Sequence, residues 1–284
     1  MSLSPPAASG SLQSDVGIEF RHDDDRERTI LTRRKAGGLC HIGKPYWNDP
    51  VLSLQLVNPT AGLFANDELT LSVDVGDHAK VALTSPSASR YHTMPRGRAE
   101  LNQRFTLGNG SWLDYWPEIT IPHRDSDVRQ NTVIRLEADS SMVFLDTLAP
   151  GRIAHGENQQ FRRLETILEI HRDGEQLVRE RCVLEPGSPH GNWQLSVPGW
   201  EVCYYAAIWI SGSETDTAKA VANAAKIAEA EGEDYHGGAS LLHPRLAVVR
   251  LVANSSLILR RLTTQLRKQI STDLPLLKTD FRKI

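Results

Sequence analysis

Residues Gly151-Arg152-Ile153-Ala154-His155-Gly156-Glu157 place a cation, an imidazole and a carboxylate within one glycine-flanked segment. Alternate residues of an extended segment face the same way. His155 and Glu157 therefore read as a nitrogen and an oxygen donor on one side, a mixture that suits Ni²⁺ as well as Zn²⁺. A plainer reading is equally open: Arg152 pairs bidentately with Glu157 to hold the loop, and His155 is merely exposed. Glu118 follows Pro117 at the end of an aromatic-rich strand. It is either a solvated charge or, with Glu157, half of an acid–base pair, since two carboxylates about 5–10 Å apart can hydrolyse glycosides. Nothing in the sequence pairs these two. Asp67 stands beside Asn66 in a turn, where an aspartate ordinarily bonds nearby backbone amides. Thr84 and Ser85 close a strand without a G-x-S-x-G context, so their hydroxyls read as turn-satisfying groups rather than nucleophiles.

The other nine histidines are scattered, with no H-x-H, H-E-x-x-H or Cys/His cluster. That excludes a high-affinity metal store and leaves room for weak, oxygen-rich contacts. Gly37-Gly38 lacks Walker spacing and reads as a bend between strands. The tryptophans Trp47, Trp116, Trp193 and Trp200 are core residues or interface anchors.

The elements that must position these residues are mostly strands. Leu69, Leu71, Val73 and Val75 alternate with polar residues, the period of a half-buried strand. Gly76-Asp77 then reads as a hairpin turn into Lys80–Thr84. Leu101, Gln103, Phe105 and Leu107 alternate in the same way before Gly108-Asn109-Gly110. Thr132 to Leu136 and Met142 to Leu148 form a further apolar pair. Asp173-Gly174, between residues 164–172 and 175–183, is a strong hairpin signal. Residues 202–210 are nearly continuous in apolar side chains, as in a strand covered on both faces. Helices are expected near 213–232, capped by Ser213, and near 244–270, with Pro244 in the first turn. No repeat of solenoid period is evident in the sequence.

The chain has 284 residues, 40% hydrophobic and 24% charged, an ordinary globular composition. A net charge of −3 favours neither nucleic acid nor an acidic membrane as partner. Three distant cysteines, Cys40, Cys182 and Cys203, suit a reducing cytoplasm. No apolar run approaches the roughly 20 residues that span a bilayer. Residues 1–14 read as a disordered tail and 15–284 as one β-rich domain.

Several of these segments together resemble the urease accessory protein family UreD, also called UreH. The resemblance rests on Ala61-Gly62-Leu63, Ala65-Asn66-Asp67, Leu83-Thr84-Ser85, Arg90-Tyr91, Trp116-Pro117-Glu118 and Gly151 to Glu157, in that order. It departs from the family where a Gly-Gly pair is replaced by Ala65-Asn66 and another by Ala61-Gly62. Asn66 tolerates a left-handed turn, whereas Ala65 would be strained in one. A paralogue maturing a different metalloenzyme is a second reading that this change suits. The resemblance implies a mainly β fold of helically stacked strands with C-terminal helices. It implies a non-enzymatic scaffold that binds apo-urease, a UreF-like protein and a UreG-like GTPase. It implies that Ni²⁺ passes transiently, with no tightly bound cofactor, along a path bearing Asp67, Glu118, Glu157 and His155. Arg152 then holds the loop, and Thr84 and Ser85 line the path. With no P-loop in the chain, the purified protein is expected to leave GTP unhydrolysed. Turnover by a preparation free of contaminating GTPase would overturn that expectation.

Overall fold

The computed structural model describes residues 11–48, 50–188 and 196–274. The strands are β1 Gln13–Asp23, β2 Arg28–Lys35, β3 His41–Ile42, β4 Tyr46–Asn48, β5 Val51–Val57, β6 Gly62–Leu63 and β7 Glu68–Val75. They continue as β8 Lys80–Thr84, β9 Ser89–Tyr91, β10 Ala99–Leu107, β11 Trp112–Trp116, β12 Thr120–Pro122, β13 Asp127–Leu136 and β14 Ser141–Leu148. The chain closes with β15 Arg163–Arg172, β16 Glu175–Leu184, β17 Tyr204–Ser211, helix α1 Glu214–Ala228, β18 Tyr235–His243, β19 Leu246–Ala253 and helix α2 Ser256–Asp273.

The fold is mainly β, built of stacked coils, with its two helices towards the C-terminus. A seven-stranded sheet runs β16-β15-β13-β10-β7-β1-β2, and β1, β7, β10, β13 and β15 are parallel neighbours within it. A second sheet runs β18-β19-β17-β14-β11-β8-β5-β3, with β5, β8, β11 and β14 parallel. The chain passes from one sheet to the other and back, and short strands β6, β9 and β12 form a third parallel ladder on the return side. Gly76-Asp77, expected to close a hairpin, is instead a corner, because β7 and β8 lie in different sheets. The corners stack: the Gly108 amide donates to Val75, Glu137 to Leu107 and Asp173 to Leu136, at 2.8–3.0 Å. The coil repeat escapes sequence inspection because loops of differing length separate equivalent strands.

Asp173-Gly174 does close the antiparallel β15–β16 hairpin, with φ of 51° and 83°, the backbone a two-residue turn between twisted strands demands. β17 is covered on both faces, as its apolar run implies, between the coil interior and the helices. The helix expected near 244–270 is a correction. Residues 246–253 are strand β19, paired along its length to β17 and β18, and Pro244 lies in the turn before it. Val248, Val249 and Leu251 have the β-branched or apolar character that fills an inner sheet position, and Ser255 caps α2 only afterwards. Strand β1 begins at Gln13, inside the segment read as a tail; residues 1–10 and Trp193 lie outside the described residues. The strain assigned to Ala65 falls elsewhere. Asn66 is left-handed at φ 65°, Ala65 is not, and Ala61 carries φ 55°.

Two cores result. One fills the space between the sheets, where Val73, Phe105, Ile134 and Ile170 stack in register. The other lies between the outer face of the second sheet and the buried stripe Leu259, Leu262, Leu266 and Ile270 of α2. Arg172 ties corner to sheet: its guanidinium donates to the carbonyls of Glu137, Ala138 and Ser140 and to the Ser211 hydroxyl. Burial, with Arg245 nearby, pulls its pKa down to about 10. Arg172→Met keeps the volume but strands those acceptors, so a loss of about 2–3 kcal/mol is expected. Denaturant midpoints with an unchanged slope would measure it.

Candidate functional site: a polar lane between the sheets

The inward positions of the middle coils are not all apolar. In the stack one step from the aromatic layer, Leu71 is followed by Gln103 and Thr132. The Thr132 hydroxyl donates to Gln103 at 3.0 Å, and Gln103 donates to the Tyr115 hydroxyl at 3.3 Å. One layer further, the buried Tyr91 hydroxyl donates to Gln130 at 2.9 Å. Asp146, from β14, projects towards this lane amid Phe144 and Leu148. Burial, then the charge of Glu180, raises its pKa to about 6, while the Thr147 amide acts in the opposite sense.

Two cavities open along the lane. The larger, about 240 Å³, is lined by Asp146, Glu180, Cys182, Tyr205, Trp209 and Arg250 among others. The smaller, about 90 Å³, is lined by Pro117, Glu118, Gly62 and Leu63 among others. Tyr91, Gln130, Asp146 and Thr147 border both. Asp146 thus lines both cavities, while Glu118 lines the smaller and Glu180 the larger.

Of the candidate site residues singled out in the sequence, Glu118 alone lines a cavity; Asp67, Thr84 and Ser85 brace segments next to lining residues, and Arg152, His155 and Glu157 line neither cavity. Glu118 lines the smaller cavity and pairs with Arg260 of α2 at 3.1 Å. Its backbone amide donates to the Ser85 hydroxyl at 2.8 Å, and the Thr84 hydroxyl donates to the Trp116 carbonyl at 2.7 Å. Thr84 and Ser85 thus clamp the Trp116-Pro117-Glu118 segment. Asp67 is 3% exposed, and its two oxygens accept from the amides of Leu12 and Phe64 at 2.9 and 2.8 Å. This fixes the loop beside Gly62 and Leu63. A Cβ at Gly62 would come within 1.9 Å of the Arg90 carbonyl, so only glycine fits there.

Glu157 is buried, and Arg152 grips it with two bonds, Nε to Oε2 at 2.8 Å and a terminal nitrogen to Oε1 at 2.5 Å. The Arg124 amide adds a third at 3.1 Å. The Arg152 bonds, outweighing burial, hold the Glu157 carboxyl down at about 2. Residues 153–155 form a short 3₁₀ turn ended by left-handed Gly156, not an extended segment. His155 is therefore exposed while Glu157 is buried, and the two do not face one way. The fold instead brings His92 and His123 together, ring centroids 4.9 Å apart, which no spacing in the sequence foretold. Among the described residues, no three His, Cys, Asp or Glu side chains converge to hold a metal. Asp146, Glu180 and Arg250 were not singled out. The usable signal was a carboxylate inside the apolar run 142–148 and a glutamine among the inward residues of β10.

A profile described as UreD urease accessory protein matches residues 13–279. The chain belongs to the UreD urease accessory protein family. A UreD of Opitutus terrae is 34% identical over 261 residues, covering 90% of this chain and 93% of that protein. UreD proteins of Dechloromonas aromatica and Deinococcus radiodurans are each 28% identical, covering 89% and 96% of this chain and 87% and 94% of theirs. Membership places this UreD chain in urease maturation. Among the described residues no helix is long and apolar enough to cross a membrane.

The Arg152–Glu157 clasp carries a pH signature. The folded carboxyl lies below its ordinary value of 4.5, so its stabilisation is complete above that value and is lost as pH falls through about 2. Glu157→Gln is expected to cost about 1–3 kcal/mol near pH 7, between the values of exposed and buried pairs. The gap in melting temperature between variant and parent should hold from pH 7 to pH 5 and shrink steadily below pH 4. A constant gap down to pH 2 would exclude the clasp as its source.

Proposed function

We propose that this UreD protein is a non-enzymatic scaffold of the cytoplasm that binds apo-urease together with a UreF-like protein and a UreG-like GTPase. Nickel crosses it as cargo, from the Glu118 end of the smaller cavity, past Asp146, to the Glu180 end of the larger. The observation that carries this reading is the pair of adjoining cavities with a carboxylate lining both. A core that only had to be stable would fill that space with apolar side chains, because burying a polar group costs free energy unless it is fully bonded. Separate carboxylates in succession, rather than a closed ligand set, let an ion enter and leave. Asp67, Thr84 and Ser85 brace the segments that wall this route, while the Arg152–Glu157 clasp holds its own loop outside the lining and His155 faces solvent.

The hydrolase reading fares poorly on the same geometry. A general acid needs a proton to give near working pH, and Glu157 is held ionised with both oxygens engaged. The Ala65-Asn66 replacement, which suited a paralogue, loses that force because Asn66 supplies the left-handed turn.

Asp146→Asn is the direct test, since it keeps shape and removes the charge that attracts a divalent ion. The expected outcome is a melting temperature equal to or above the parent's, since a buried charge is removed, and unchanged co-purification with urease subunits, together with a several-fold fall in urease activation in cells. Full activation by a folded Asp146→Asn chain would overturn the route. Failure of the chain to co-purify with any urease subunit would overturn the scaffold.

A further inference from the structure

Each end of the lane carries an arginine set on its carboxylate. At the smaller cavity Arg260 pairs with Glu118, both on the exposed surface. At the larger cavity Arg250 of β19 pairs with Glu180 of β16, so the bond joins the second sheet to the edge strand of the first. Both members line the cavity and both remain partly exposed, so this pair stands at its mouth. The Arg250 guanidinium also lies 5.7 Å from the centre of the Trp209 ring, a buried aromatic face lining the same space. Asp146 lies deeper, bonded to the Thr147 amide and feeling the charge of Glu180. Without a cation, two carboxylates facing one small cavity would repel each other in a medium that screens poorly.

We propose that Arg250 is the resident cation of the larger cavity, held on Glu180 until a divalent metal ion takes its place. The inference rests on the transit reading and adds its regulation. Arg250 keeps the empty cavity near neutrality, and an arriving ion competes for Glu180 and Asp146. The contact with the Trp209 face, already made in the paired state, can be kept when Glu180 is given up, so the released guanidinium is not left without a partner. A cavity of about 240 Å³ has room for an ion that retains part of its water. Monovalent cations compete poorly, because a single charge gains no more from the carboxylates than the guanidinium already does. Arg250 thereby sets a threshold that selects divalent ions.

Binding of Ni²⁺ to the purified full chain tests this without urease. Removing a unit positive charge beside the site should tighten Ni²⁺ binding by about tenfold or more in Arg250→Gln. Adding Asp146→Asn to that variant should abolish the gain. Cys182 is exposed and lines the cavity, whereas Cys40 and Cys203 are buried. Ni²⁺ should therefore slow the reaction of Cys182 with a thiol reagent, at lower concentration in Arg250→Gln than in the parent. Unchanged or weaker Ni²⁺ binding by a folded Arg250→Gln chain overturns the proposal, as does a gain that survives Asp146→Asn. Should Arg250→Gln fail to fold, the parent chain suffices. Modification of Arg250 by phenylglyoxal, read by mass spectrometry, must quicken when Ni²⁺ releases it from Glu180, and an unchanged or slower rate overturns the idea. Tighter binding by Arg250→Gln with full urease activation by Asp146→Asn would keep the counter-ion and discard the route. The reverse pattern would discard the counter-ion alone.

Discussion

Parallel stacking obliges every coil to turn its corner at the same height. The amides of Gly108, Glu137 and Asp173 each reach back to the last residue of the strand before, so Val75, Leu107 and Leu136 must lie above one another. A slip of one residue in any coil would turn its inward side chains outward. The same ladder brings like positions of successive coils into contact, so the interior is a set of columns rather than a jigsaw of unrelated side chains. A column is apolar when each coil contributes an apolar residue. It becomes a polar lane when one or two coils do not.

That is how the candidate site arises. The column containing Val73, Phe105, Ile134 and Ile170 is uniformly apolar and closely filled. Its neighbour contains Gln103 and Thr132, which bond each other and Tyr115 and so are satisfied within the lane. Asp146 enters from the opposite sheet, and its carboxyl, pushed up to about 6 mainly by burial, shows the cost of setting a charge there. A methyl or methylene in each place would have packed better. The fold tolerates the lane because the corner bonds, the Arg172 network and the second core under α2 hold the sheets apart without help from that column.

Local periodicity made much of this architecture legible, and topology concealed the rest. The alternation in β7 and β10, the Asp173-Gly174 hairpin and the unbroken apolar run of β17 all follow from the chemistry of adjacent residues. The corner at Gly76-Asp77 was misread because a turn between two strands looks the same whether they pair or part. Residues 246–253 were misread because leucine and valine at short spacing satisfy a helical stripe as readily as a buried strand, and Pro244 fits the start of either. Glu157 and Arg152 were legible as a pair because they stand five positions apart across a glycine-bounded turn. Asp146, Glu180 and Arg250 were not, since three different strands bring them together and no local spacing records it.

The distinction between loop carboxylates and lane carboxylates is one of occupied lone pairs. Asp67 accepts two backbone amides and Glu157 accepts a bidentate guanidinium and an amide. A metal ion reaching either would have to break bonds on which a loop depends, so affinity there would be offset by the cost of unfolding it. Glu118 and Glu180 are each held by one arginine on a flexible stem, and Asp146 by a neighbouring amide. Those contacts can be exchanged one at a time while the sheets stay in place. On the proposed route, an ion would meet contacts that open one at a time rather than a closed ligand set. Rigidity at the corners and exchangeable charge in the lane are therefore complementary: the first holds the cavity walls in place, and the second is the property on which the proposed route depends.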